Sequence, residues 1–179
     1  DTDGGSGDLE AADFAVSVAQ NGGAADVAAA TPTGITITDG NTVVLTLNAT
    51  NAATATGAEV ITVVPASGTS IYDASGNAAS TSQTGNTVNF NDKVAPTLSA
   101  ISIASSNSTS TLAKVNDVVT LTFTASETIA TPVVTFLSGG DAINDTTVAY
   151  ANTGNTHTAK YTANTLDTAG AVTFSIAFA

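Results

Sequence analysis

The sequence contains no cysteine, methionine or tryptophan among its 179 residues. Without cysteine the chain can form neither a disulfide bond nor a thiolate metal site, so its fold must be stable without covalent cross-links. The sequence also lacks the run of about 18 apolar residues from which a membrane-spanning helix is predicted, so membrane insertion is not expected.

Basic residues are almost as scarce. Lys93, Lys114 and Lys160 stand against 15 acidic residues, which gives a formal net charge of −12 at pH 7. Three scattered lysines cannot supply the basic face that phosphate contacts need, so nucleic-acid binding is excluded. Anionic membrane surfaces repel such a chain for the same reason. Three explanations of the acidity remain, namely binding of a divalent cation, binding of a basic partner, or simply the solubility of a secreted protein.

Aromatic residues make up only 5% of the chain, and the apolar content is mainly alanine and valine among many threonines, asparagines and glycines. Threonine and valine favour strands, whereas glycine and asparagine favour tight turns. Alternating or apolar segments predict strands at 14–18, 34–37, 43–47, 60–64, 87–90, 98–103, 118–124, 133–137, 148–150, 157–161 and 172–178. Such strands, separated by turns, predict an all-β protein with the spacing of immunoglobulin-like β-sandwiches.

The segment 86–99 lies at the midpoint of the chain and joins the last strand of one half to the first strand of the other. Residues 91–93 are polar and turn-forming, and Pro96 keeps Ala95 extended, so the chain cannot pass through as a helix. The sequence therefore predicts two tandem β-sandwich modules without disulfides, at 1–92 and 93–179.

Four stretches resemble known bacterial repeats. Asp-Lys-Val-Ala-Pro-Thr-Leu-Ser at 92–99 and the segment 112–127, which ends in Thr-Phe-Thr-Ala-Ser-Glu, resemble the opening of immunoglobulin-like repeats found in tandem in adhesins, biofilm proteins and surface-layer proteins. The segments 8–14 and 71–77 resemble a related repeat of bacterial swimming and surface proteins. The resemblance implies a secreted, extracellular protein of the bacterial cell surface that spaces, assembles or adheres.

The same resemblance implies that the first module lacks its first strands and the second lacks its last segment. Either the chain is an excerpt of a longer array, or a neighbouring copy supplies the missing strands by β-strand complementation. The expected partners are therefore copies of the chain itself or neighbouring modules of the same protein.

Calcium is the one cofactor with several candidate ligands, because it is bound by carboxylate, amide and carbonyl oxygens. Asp92 lies in the central segment and Glu127 ends a strand, and the resemblance implies that such positions gather at module boundaries. Asp73 and Asn77 bracket a glycine turn and form a second candidate pair. The alternative is that aspartate and asparagine occupy these turns because their side chains bond the nearby backbone.

Asp1, Asp3 and Asp8 form a weaker candidate calcium site at the start of the sequence. Their spacing does not match an EF-hand loop, which needs oxygen ligands at fixed positions around a central glycine. A solvated acidic loop is the alternative explanation.

Catalysis finds little support in the sequence. His157 is the single histidine, and we expect it on a sheet surface. No Gly-x-Ser-x-Gly motif occurs, and the glutamates Glu10, Glu59 and Glu127 lie in no aromatic-rich segment. The sequence therefore predicts no enzyme. The remaining alternatives are a module that binds a cell-surface glycan or receptor, and a decoration domain of a phage particle.

Overall fold

The structure, a computed structural model, describes residues 7–178. Within them the chain forms β-strands and short 3₁₀ turns, with no α-helix. It divides into two compact units, Asp1–Val94 and Ala95–Ala179, named unit 1 and unit 2 below. The prediction of an all-β protein is confirmed, and the arrangement is compatible with a β-sandwich.

Unit 1 is built of short antiparallel pairings. Its sheets are ordered β1-β6-β7, β2-β5 and β3-β4, and 3₁₀ turns lie at Ala11–Asp13 and Ala52–Thr54. The strands are β1 (Phe14–Ala19), β2 (Asp26–Val27), β3 (Gly34–Asp39), β4 (Thr42–Thr46), β5 (Ala49–Thr50), β6 (Val60–Pro65) and β7 (Thr87–Asn89).

The hairpin β3–β4 confirms the strands predicted at 34–37 and 43–47. Ile37 lies opposite Val43, and the turn between the strands is held by Asn41, whose backbone N–H donates to Asp39 Oδ1 over 2.8 Å. Aspartate favours such turns because its side chain can accept from the backbone two residues on. The strand predicted at 60–64 is one residue longer in the structure, since Pro65 is the last residue of β6.

Unit 2 forms two larger sheets, ordered β12-β13-β9-β8 and β11-β10-β14. Every pairing in them is antiparallel. The strands are β8 (Leu98–Ser105), β9 (Val118–Ala125), β10 (Val133–Ser138), β11 (Asp141–Ala142), β12 (Ala149–Thr153), β13 (Thr156–Thr162) and β14 (Val172–Ala177).

The core of unit 2 follows from the alternation of its strands. In β9 the apolar residues Val119, Leu121 and Phe123 are buried, whereas the threonines between them are partly exposed. Phe136 of β10 packs on Tyr161 of β13, with ring centroids 4.9 Å apart. The two sheets therefore share one apolar core, as strands with one buried face require.

Three short strands lie outside the sequence prediction. No strand is predicted at 26–27, 49–50 or 141–142, yet β2, β5 and β11 form there. Each is two residues long, and such strands depend on the neighbours they pair with because two residues carry no periodicity of their own.

Candidate functional site

The loop between Asp73 and Asn77 is organised by its own hydrogen bonds. Asp73 Oδ1 accepts from the backbone N–H of Ser75 over 2.9 Å and of Asn77 over 2.8 Å. Asp73 Oδ2 accepts from Asn77 Nδ2 over 2.9 Å. These bonds, led by the one from the Asn77 side chain, lower the pKa of Asp73. The geometry favours the turn explanation for this pair, because Asn77 directs its amide donor at Asp73.

Asp92 and Glu127, the best sequence candidates for calcium, lie in different units. Asp92 is exposed and accepts from the backbone N–H of Val94 over 2.9 Å. Glu127 is half-buried and follows β9 after one residue. Calcium binding at either residue stays a prediction.

The weaker candidates at the start of the sequence are only partly described. Asp1 and Asp3 lie outside the described residues, and Asp8 is exposed. Among residues 7–178 no three histidine or acidic side chains converge in a way that could hold a metal ion. Calcium also binds the oxygens of asparagine side chains and backbone carbonyls, which are not among the histidine and acidic side chains considered above.

Glu59 is the most enclosed carboxylate of unit 1. Its side chain is fully buried, Oε1 accepts from the N–H groups of Ala24 and Ala25, and Oε2 accepts from the N–H and hydroxyl of Thr56, over 3.0–3.2 Å. Burial alone would raise the pKa of Glu59. Hydrogen bonds from its own backbone, Ala25 and Thr56 outweigh that effect and lower the pKa to about 2. The side chain therefore stays ionised at neutral pH and joins two loops.

Gly23 makes room for this carboxylate. A Cβ atom at position 23 would lie 1.9 Å from Glu59 Oε1, which is far inside van der Waals contact. Sequence analysis considers Glu59 only as a catalytic acid and misses this role, for which the glycine–glycine pair at 22–23 is the available signal.

Carboxylates organise loops in unit 2 in the same way. Asp117 Oδ2 accepts from Asn107 Nδ2 over 2.7 Å and from the N–H of Lys114 over 2.8 Å. The bond from Asn107 is the main cause of a lowered pKa at Asp117, with the Lys114 N–H next. Asp117 therefore fixes a loop by accepting from a side-chain amide and a backbone N–H. Hydrogen bonds of this kind favour the ionised form of the carboxyl group.

His157 corrects a sequence expectation. The sequence predicts it on a sheet surface, but its exposed fraction is only 7%. Its ring stacks on Phe123, with centroids 5.4 Å apart and planes 12° apart, because positions 157, 159 and 161 all point into the core. A stacked, buried imidazole opposite a phenylalanine fits a packing role.

A cleft lies in unit 2, between the edge strands β8 and β14. Its volume is about 710 Å³, and its lining includes Ile103, Leu112, Lys114, Tyr161 and Val172. Sequence analysis misses it, because the cleft arises from the way the two sheets end and not from a motif.

Comparison with protein-family models, curated proteins and solved structures finds no match for this chain. No helix among residues 7–178 is long and apolar enough to cross a membrane. A function for this chain must therefore be inferred from its own geometry.

Proposed function

We propose that this chain is a structural segment of an extracellular bacterial surface protein or filament, made of immunoglobulin-like modules that act in self-assembly and spacing. The observation that carries the proposal is the poorly covered apolar surface of unit 1. In its described part the buried hydrophobic residues are Val16, Ala25 and Ala55. A unit of this size with so small a core gains stability when another strand or sheet covers it.

The hairpin β3–β4 carries much of this uncovered surface. Ile35, Ile37, Val43 and Leu45 share one face of the hairpin, and none of them is buried. Ile37 is 50% exposed, and Val44 on the other face is 52% exposed. Monomeric proteins rarely leave contiguous apolar surface open unless it binds something.

Covering this surface would stabilise an assembly appreciably. Full burial of a valine or isoleucine side chain contributes about 1.5–3 kcal/mol. A few half-exposed side chains therefore contribute several kcal/mol before the cost of association is subtracted. That is enough to favour assembly of modules that are held close together in an array.

The rival function, glycan or receptor binding, has less support. Sugar-binding surfaces typically present aromatic platforms, but Tyr161 is buried and the Tyr150 hydroxyl donates to the Val134 carbonyl and accepts from the Val134 N–H. Tyr72 is half-buried beside an isolated bridge to Ala78. These three tyrosines are dispersed over the two units and form no common face on either.

Sedimentation velocity across protein concentrations tests the proposal, with electron microscopy of the same samples. We expect the chain to form oligomers or filaments as concentration rises. Ile37→Thr should raise the concentration needed for assembly by about tenfold, which corresponds to about 1.4 kcal/mol of lost apolar contact. Thr38→Ser, a change on the same strand that removes no large apolar group, is the matched control.

A chain that stays monomeric at millimolar concentration would contradict self-assembly, and so would an Ile37→Thr variant that assembles as well as the control. Circular dichroism of each variant shows whether the strands are retained, so that loss of assembly is not confused with unfolding.

A further inference from the structure

Strand β14 has one unoccupied edge among the described residues, since it pairs with β10 alone. The Gly139 N–H donates to the Ala171 carbonyl over 3.1 Å. Because antiparallel pairs alternate between hydrogen-bonded and non-hydrogen-bonded positions, this bond fixes the direction of the groups that follow. The N–H and C=O groups of Val172, Phe174 and Ile176 point away from β10, towards the open edge.

The side chains of the same residues face the core but are incompletely covered. Val172, Phe174 and Ile176 lie opposite Ser138, Phe136 and Val134, which are buried, yet all three are only half-buried. Across the cleft Ile103 of β8 lies opposite the buried Leu121 and is 38% exposed. The two sheets therefore leave an apolar gap on this side, between their edge strands.

Nothing in the sequence of β14 protects this edge. The strand reads Val-Thr-Phe-Ser-Ile-Ala, without charge, proline or lysine. Exposed edges normally carry such residues because unpaired strands otherwise add further strands. An unprotected edge beside an apolar gap has the properties of an acceptor site for β-strand addition.

In unit 1 the strand that corresponds to β14 is paired on both of its edges. Strand β6 pairs with β1 on one side and β7 on the other. Val16 of β1 is buried opposite Val63, as Phe136 is buried opposite Phe174 in unit 2. Aligned on these pairs, β6 corresponds to β14, and within residues 7–178 no strand takes the place of β7 beside β14.

We propose that the segment 86–90 of a second copy of this chain adds to β14, antiparallel, with Val88 opposite Val172 and Thr87 opposite Thr173. The register follows from unit 1, where Val88 lies opposite Ile61 and Thr87 opposite Thr62. The inference rests on the proposed self-assembly and names the donor and the acceptor.

The donor segment buries little apolar surface in its own unit, where it is held by hydrogen bonds that include those from the Asn86 and Asn89 side chains to the Val63 and Gly57 carbonyls. Strand β7 makes three residue pairs with β6, all three of its residues are exposed, and Val88 is 61% exposed. On β14 the side chain of Val88 faces the apolar gap beside Ile103. Transfer therefore exchanges the backbone ladder with β6 for one of the same kind with β14 and increases the burial of the Val88 side chain.

Charge also favours this donor. Segment 86–90 is uncharged, so it can approach an acidic protein without local repulsion. Antiparallel addition carries Asp92 past the Val172 end of β14, and Lys114 lines the cleft at that end. Asp167, the acidic residue of this lining, already accepts from the N–H groups of Asn144 and Asn164.

Disulfide trapping tests the register directly, because the chain contains no cysteine of its own. The Val63 N–H donates to the Asn86 carbonyl, so the adjacent Thr62–Thr87 pair is of the closely spaced, non-hydrogen-bonded kind. In the proposed register the Thr173–Thr87 pair between copies is of the same kind. Cα atoms in such pairs are about 4.5 Å apart, within the range that a disulfide spans. The full chains Thr87→Cys and Thr173→Cys, mixed in a glutathione redox buffer, should form a mixed disulfide between copies.

The matched control replaces Thr173→Cys with Ala177→Cys, on the same face of the same strand but four residues out of register. We expect the mixed disulfide with position 173 to exceed that with 177 at least about tenfold, and Val88→Asp in the donor to abolish the difference. Equal trapping at 173 and 177 would overturn the inference, as would trapping that Val88→Asp does not affect.

The two proposals fail in distinguishable ways. Assembly in sedimentation without register-specific trapping would refute this donor and acceptor while leaving self-assembly supported. Absence of both assembly and trapping in folded variants would refute both.

Discussion

At the residue scale, carboxylates of this chain act as hydrogen-bond acceptors that fix loops. Glu59 is the clearest case, since one side chain satisfies N–H groups from two separate loops. A buried polar group without a partner lowers the stability of the fold. Each of these bonds therefore stabilises the chain by pairing both a backbone N–H and a carboxylate oxygen. The sequence could show an isolated glutamate but not the distant residues 24 and 25 that donate to it.

The substitution Glu59→Gln should destabilise unit 1 strongly. The glutamine side chain has nearly the same shape as glutamate, but its amide group would direct N–H at backbone N–H groups and leave donors unpaired. We expect the chemical denaturation midpoint to fall, measured by circular dichroism in urea. Glu10→Gln, which changes an exposed glutamate, is the control and should leave the midpoint nearly unchanged. Equal midpoints for both variants would contradict the role given to Glu59.

The same carboxylate predicts a pH dependence. The pKa of Glu59 is about 2 in the folded chain against an ordinary value of 4.5, so the unfolded state binds the proton more readily. Its contribution to stability is present above pH 4.5 and is lost as the pH falls from there towards 2. Urea midpoints between about pH 7 and pH 3 should fall more steeply for the unaltered chain than for Glu59→Gln. Asp73, Asp117 and Asp167, whose pKa values are also lowered, act in the same direction in both proteins.

At the scale of elements, period-two alternation determined most of what the sequence predicts correctly. The strands β1, β3, β4, β6, β9, β10, β13 and β14 all lie where apolar residues alternate with threonine or serine or form a short apolar run. The partners of these strands could not be predicted in the same way. That β14 pairs with β10, across a long intervening stretch of chain, depends on how two sheets share one core and leaves no local pattern.

The core of unit 2 gives a direct prediction at this scale. Leu121 is fully buried in β9, so Leu121→Ala should lower the free energy of unfolding of unit 2 by about 2–5 kcal/mol. Leu166→Ala is the matched control, because Leu166 is 73% exposed, and surface substitutions usually change stability by less than about 0.5 kcal/mol. Urea denaturation of both variants measures the difference. A loss below about 1 kcal/mol for Leu121→Ala would contradict the core described above.

At the scale of the whole molecule, the net charge of −12 attracts cations to the protein surface. The sequence could supply candidate ligands by residue type, but calcium sites form from oxygens that the fold brings together, including carbonyls that no motif reveals. The loop at Asp73 illustrates the difficulty, since the same residues that suggest a ligand pair bond each other.

Calcium should raise the melting temperature of the chain, and chelation should reverse the effect. A cation that binds only the folded state stabilises it by about 2.7 kcal/mol at a hundred times its dissociation constant. We expect Asp92→Asn and Glu127→Gln each to reduce the calcium-induced shift in differential scanning calorimetry. Asp39→Asn, an exposed turn residue that is not a candidate ligand, is the control. An identical melting curve with calcium and with chelator would exclude this stabilisation.

The contact between Gly23 and Glu59 has a consequence for descent. Because a Cβ at position 23 would overlap Glu59 Oε1, position 23 cannot gain a side chain while Glu59 keeps its place. In lineages related to this one, a side chain at 23 should appear together with a shorter residue at 59. Glycine at 23 should therefore persist wherever glutamate is kept at 59, even though the two positions lie far apart along the chain.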